Sequence, residues 1–243
     1  MEKHPRIKRV SPDWCEPCII AAPGPSLAPV ATRIRMKRIV DRWRMIVVND
    51  AYKLLPNADM LYAVDNSWWH IHKQCKGFTG EKWAGHEQLP HEKHGNDKRD
   101  FADEYDVNLI TGLSGDEFSR DPGLIRYGSN SGFQAINMAI LKGCKYIVLV
   151  GFDMRRVDGA AHFFGDHPPG LSNTTDEGYR QYNRHFVAAA KRLSPDIRIV
   201  NATPESALTC FPMMTLEAAL DYKDHERNGG GVRDGSELQP VSS

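Results

Sequence analysis

Four short runs along the chain are apolar throughout, without a charge and without a helical period: Cys18–Ala22, Met45–Val48, Met60–Val64 and Tyr146–Val150. Runs of this length and texture read as parallel strands buried on both faces. Ile197-Arg198-Ile199-Val200 is a fifth run, interrupted by one charge. Each run gives way to turn-forming residues: Pro23-Gly24, Asn49-Asp50, Asp65-Asn66, Gly151-Phe152-Asp153 and Asn201. Strands that end this way before a helix mark the carboxyl edge of a doubly wound sheet, where ligands bind.

Between the runs the period changes. Leu27 to Trp43 reads mostly as helix, with Arg33, Arg35, Lys37 and Arg38 facing outward. Ser131 to Lys142 reads as an amphipathic helix, with Phe133, Ile136, Ala139 and Ile140 on one face. Asp176 to Leu193 is helical again, capped by Thr174 or Thr175. From Arg155 to Thr175, Gly159, Gly165, Pro168, Pro169 and Gly170 break any period, so this stretch is predicted to be a loop or lid. Lys73 to Gly128 reads as a partly irregular excursion, with one strand candidate near Val107–Ile110.

The predicted fold is α/β, a Rossmann-like doubly wound and mostly parallel sheet with a lid or insertion region. One nucleotide-binding domain is expected over 18–221, after an extension of residues 1–17. The Gly-, Ser- and charge-rich tail from 222 is expected to be disordered.

Composition narrows the function. The chain has 243 residues, with 31 basic side chains balancing 31 acidic ones, so no global field holds a polyanion. No apolar run approaches the roughly 18 residues of a membrane span, and no signal-peptide pattern opens the chain. The expected location is the cytoplasm. Five cysteines, an odd number, fit a reduced compartment better than a disulfide framework. Cys15-Glu16-Pro17-Cys18 has half-site spacing for zinc or redox chemistry, but no second pair follows it. His70, His72, His86, His91 and His94, lying among Glu87, Glu92, Asp97 and Asp100, offer a metal reading against that of a hydrophilic surface loop.

Two loops carry the candidate chemistry. In the first, Gly24 lets the backbone approach a ligand, Pro25 fixes the entry and Ser26 can cap the next helix. In the second, Asn130, Ser131 and Gly132 open a helix whose free amides suit phosphate. The dinucleotide fingerprint and the Gly-Lys-Ser/Thr P-loop are both missing. That argues against a nicotinamide oxidoreductase and a P-loop kinase.

The ordered set of Gly24-Pro25-Ser26-Leu27, Asn49, Asp65-Asn66, Ser131-Gly132, Gly151-Phe152-Asp153 and Asn201–Leu208 resembles one superfamily. It includes the bacterial CMP-sialic acid sialyltransferases, the flagellin-modifying motility accessory factors and the archaeal hydroxymethylpterin diphosphokinases. The resemblance spans roughly 18 to 212, with little to align between about 75 and 120. It implies that Gly24, Pro25 and Ser26 touch the nucleotide, that Asn49, Asp65 and Asn66 meet the donor, and that Asn130, Ser131 and Gly132 lie beside its phosphate. Asp153 is expected at the nucleotide, and the diphosphokinase relatives would need a divalent cation there. Two positions depart from the sialyltransferases: Pro23 replaces an Asn, and Arg155 stands where a leaving-group tyrosine is placed. An Arg there is expected to stabilise a departing phosphate.

The segment His162-Phe163-Phe164-Gly165-Asp166-His167 is similar to the lid segment that supplies the family's general base, with one extra residue between the histidines. His167 is the leading candidate for the base and His162 the second. The resulting expectation is a sialyltransferase-like glycosyltransferase that moves a sugar from a nucleotide-sugar donor to a hydroxyl acceptor, with no obligatory metal. The acceptor is open among a small molecule, a glycan, a protein and modified DNA, and a homo-oligomer is one expected state. Two alternatives stand: a diphosphokinase-type transferase using ATP and Mg2+, and a catalytically silent nucleotide-binding protein.

Overall fold

The computed structural model describes residues 6–41, 43–87 and 98–221, with the side chains of 87 and 98–100 outside the description. The tail from 222 and the positions 91, 92, 94 and 97 of the histidine-rich stretch lie outside the described residues.

Within them, eight strands form one parallel sheet: β1 (Cys18–Ala21), β2 (Arg44–Val48), β3 (Met60–Tyr62), β4 (Glu81–Glu87), β5 (Asn108–Leu113), β6 (Leu124–Arg126), β7 (Tyr146–Val150) and β8 (Arg198–Asn201). The strand order is β6-β5-β4-β3-β2-β1-β7-β8. Six helices flank it: α1 (Ala31–Asp41), α2 (Asn66–His72), α3 (Lys98–Glu104), α4 (Ser131–Lys142), α5 (Asp176–Lys191) and α6 (Leu216–Leu220). Two 3-10 turns, Pro25–Val30 and Asn49–Lys53, follow β1 and β2.

The central strands are apolar on both faces because both faces are covered. Ile19, Met45 and Val148 pack into one core with α1, α2 and α6, while Ile20, Ile46 and Leu149 pack into the other with α4 and α5. The chain walks outward from β1 to β6 and then returns to place β7 on the other side of β1. That reversal opens a crevice at the carboxyl ends of β1 and β7, the switch point where ligands of such sheets sit.

Two expectations change. The stretch from Lys73 to Gly128 is no excursion, since it supplies β4, β5 and β6 to the sheet. Within β4 only Trp83 and Ala84 form an apolar pair, and pairing with β3 and β5 (Leu61↔Lys82, Gly85↔Ile110) supplies what the local pattern lacks. Helix α4 has the predicted ends but no solvent face: all twelve of its residues are buried. Its polar members are satisfied inside. Gln134 Oε1 accepts from Tyr62 at 2.6 Å, and Asn137 Oδ1 accepts from the Ser119 and Arg126 amides at 3.0 and 3.2 Å.

The described part of the N-terminal extension lies on the domain. Lys8 N donates to Leu109 O at 2.8 Å, and Trp14 is buried between Arg44 and Lys142. Cys15 is exposed and Cys18 buried in β1, both as free thiols. No group of three or more metal-ligating side chains occurs among the described residues. Among them, too, no helix is long and apolar enough to cross a membrane.

Candidate functional site

The first loop is built by close approach. A Cβ on Gly24 would lie 2.0 Å from Asp153 Oδ2 and 2.4 Å from Gly151 O, so only glycine lets the loop after β1 rest against the loop after β7. Pro25 opens the 3-10 turn. Ser26 donates to Asp153 Oδ2 through Oγ at 2.8 Å and through its amide at 3.4 Å. Asp153 is 3% exposed, and burial raises its carboxyl above the ordinary range while the Ser26 bonds pull it down. Asp153 Oδ2 therefore serves as the cap of the first loop. Pro25 and Ser26 stand behind the cavity wall and position Gly24, which lines it.

The second loop turns through two left-handed residues, Gly128 (φ 48°) and Ser129 (φ 62°), before α4 begins. Asn130 caps the helix: its Oδ1 accepts from Phe133 N at 2.8 Å. The amides of Ser131 and Gly132 come too early in the helix to have an intrahelical acceptor, and they lie at its positive end. Ser131 Oγ accepts from Val64 N at 3.2 Å, which ties α4 to the end of β3.

These loops enclose a cavity of about 360 Å³. Its wall includes Gly24, Asn49, Asp65, Asn130, Ser131, Gly132, Asp153, His162 and His167. No lysine or arginine side chain lines it among the described residues. Asn49 sits in the left-handed region (φ 46°), and its buried Oδ1 has no hydrogen-bond partner. Asn66 opens α2 just behind the wall, its Oδ1 likewise buried and unpartnered. Trp68 reaches the wall, whereas Trp69 belongs to the core and donates to Ala63 O at 3.1 Å.

The segment after β7 forms the opposite wall. Phe163 N donates to Pro23 O at 3.0 Å, tying it to the first loop. His162 and Gly165 exchange backbone hydrogen bonds across a tight turn, and His167 N donates to Asn173 Oδ1 at 2.9 Å. The two imidazoles lie 4.4 Å apart, centre to centre, and His162 stacks on Phe164 at 4.9 Å. Burial lowers both pKa values: His162 to about 4, with His167 adding to the shift, and His167 in the same direction. Both rings are thereby favoured in the neutral form at pH 7, the form a general base needs. The Nδ1 atom of each ring is buried without a hydrogen-bond partner.

Arg155 lies outside this wall. Its guanidinium donates to Glu205 O and Glu205 Oε2, each at 2.9 Å.

Several residues that sequence reasoning passed over belong to the site's surroundings. Asp50, read only as the end of a strand, is 1% exposed and accepts from Trp68 Nε1 at 2.8 Å and Lys53 Nζ at 2.5 Å. His72, read from the sequence only as a metal candidate, stacks on Trp68 at 4.2 Å and approaches Asp50 at 3.5 Å. Lys53 also lies over the Phe164 ring at 5.4 Å, linking this buried network to the histidine turn. From α5, Tyr179 and Tyr182 enter the cavity, and His185 Nε2 meets Ser129 Oγ at 3.1 Å. Of the histidines read as a metal candidate, His72 joins Asp50 and Tyr52, whereas His70 lies 3.5 Å from Tyr105 OH.

No protein-family model and no curated protein matches the chain. Among solved structures it is similar to the MAf glycosyltransferase from Magnetospirillum magneticum AMB-1, with a TM-score of 0.56 and 14% sequence identity. The likeness covers 88% of this chain but only 36% of that one. At this identity the likeness shows a shared fold: a Rossmann-like α/β domain corresponding to about a third of the larger protein.

Proposed function

We propose that this chain is a cytoplasmic glycosyltransferase that moves a sugar from a nucleotide-activated donor to a hydroxyl acceptor. One observation carries the reading. At the switch point of the sheet, a single cavity has the open end of α4 on one side and the His162–His167 pair on the other. The first feature suits the phosphate of a leaving nucleotide, and the second suits the hydroxyl that replaces it. The structural neighbour is itself a glycosyltransferase, which agrees with this assignment.

In the proposed reaction the donor phosphate rests against the Gly24 backbone and the Ser131 and Gly132 amides. Asn49, Asp65 and Asn66 position the rest of the donor, while Pro25, Ser26 and Asp153 hold the loop that presents Gly24. The acceptor oxygen attacks the anomeric carbon as the bond from that carbon to the phosphate oxygen breaks. His167 Nε2 takes the acceptor's proton. The charge left on the phosphate is met by fixed amide dipoles, which need no reorganisation. Arg155 would first have to leave Glu205 to share that work.

The ATP- and Mg2+-dependent alternative has weaker support. It would draw on Asp153, Asp65 and Arg155, yet Asp153 Oδ2 is committed to Ser26 and Arg155 to Glu205.

Nucleotide release from CMP-, UDP- and GDP-activated sugars, followed for the wild-type chain and His167→Ala, tests the proposal. The expected result is turnover of one donor class, with kcat lowered about 10²- to 10⁴-fold in the variant and KM for the donor little changed. Turnover unaffected by loss of both lid histidines would remove them from the mechanism.

A further inference from the structure

Ser129 and His185 are 56 residues apart and meet at the cavity rim, with Ser129 Oγ 3.1 Å from His185 Nε2. Ser129 lines the cavity in a left-handed conformation (φ 62°) that non-glycine residues adopt only at a cost. It follows a second left-handed residue, Gly128, where a Cβ would come within 2.1 Å of the Phe133 ring. The turn is thus shaped by packing beneath it, and the shape puts a hydroxyl at the mouth of the cavity.

A serine hydroxyl is a free rotor with one proton and two lone pairs, and a neighbour decides which of these it offers. An imidazole donating Nε2–H to Oγ fills a lone pair and leaves the hydroxyl proton to point elsewhere. The cavity wall holds two carboxylates and no lysine or arginine, so an anionic group depends on amides and hydroxyls for its charge. Resting on the function proposed above, we infer that His185 is a positioning residue that fixes Ser129 as a hydrogen-bond donor to a phosphate-ester oxygen. His185 acts from α5 without touching the ligand. The same bond ties α5 to the loop before α4.

The test uses the full chain with ¹⁵N-labelled histidine and inorganic phosphate as probe. The His185 Nε2 resonance is expected to report a protonated nitrogen and to move as phosphate is added. That movement should disappear in Ser129→Ala. In parallel, the rise in melting temperature given by CMP, UMP, GMP and AMP is compared with that of each parent nucleoside. Ser129→Ala and His185→Ala should shrink the phosphate-dependent difference and leave the nucleoside effect intact. His185→Gln, which keeps a donor at a similar reach, should restore most of it. An unprotonated Nε2, a resonance indifferent to phosphate, or variants that bind nucleotides as wild type does would each overturn the inference while leaving the glycosyltransferase reading in place. Conversely, a chain that turns over no nucleotide sugar while His185 still answers phosphate would end that reading and keep this one.

Discussion

At the scale of single residues, the site depends on contacts too close for substitution. Gly24 is held against Asp153 and Gly151, and Ser26 supplies the hydrogen bond that lets a carboxylate be buried there. Removing one partner of a buried bond leaves the other unsatisfied, at a cost of about 1–3 kcal/mol. Ser26→Ala is therefore expected to lower unfolding stability by about that amount, read as a fall in the urea midpoint at constant m-value. An unchanged midpoint would mean that Asp153 finds another donor. Gly24, Asn49 and Asn130 were legible in the sequence because each directly follows or precedes a recognisable element. Asp50 was not, since a carboxylate after a strand reads as a solvated turn until Trp68 and Lys53 are seen to enclose it. His185 was equally hidden, because nothing local links it to Ser129.

Among the elements, α4 and β7 were read with the observed ends, and the reason is physical. Asn130 caps one end of α4 and Gly143, at φ 104°, terminates the other. β7 is a run of five buried apolar residues. β4 and β6 escaped, because a strand with charges and a strand of three residues acquire their identity from their neighbours in the sheet. The histidine turn is the element where pH should be felt. A free histidine ionises near pH 6.5, whereas His162 in the fold does so at about 4. Because its folded value is depressed, the stability it contributes is complete above about pH 6.5 and is lost as pH falls towards 4. Urea midpoints measured across that window should fall towards acid for the wild-type chain and fall less for His162→Phe. Parallel curves for the two would show that the ring is not held neutral by the fold. The lowered value of His167 likewise predicts activity that persists below the ordinary histidine range.

On the scale of the whole molecule, the sheet order makes the site by leaving β1 between strands reached in opposite directions. The N-terminal segment, read from sequence as an extension, is part of this construction. Trp14 packs between Arg44 and Lys142, and Val10 joins the core around α4. Truncating a buried tryptophan costs about 3–5 kcal/mol, so Trp14→Ala should lower stability by that order even though the residue is far from the cavity. A change of only a few tenths would return the segment to the status of an appendage.

In the proposed function the switch-point cavity receives an activated nucleotide without needing a metal. The most direct measurement is the melting temperature of the chain with CMP, CDP, UDP, GDP, ADP and ATP, each with and without magnesium. A ligand that binds only the folded state must raise it. Stabilisation by CMP or a nucleoside diphosphate is expected, equal in both conditions and lost when the Gly24 loop is filled by Gly24→Ala. Stabilisation by ATP alone, and only with magnesium, would contradict it and favour phosphoryl transfer; no shift with any nucleotide would contradict it outright.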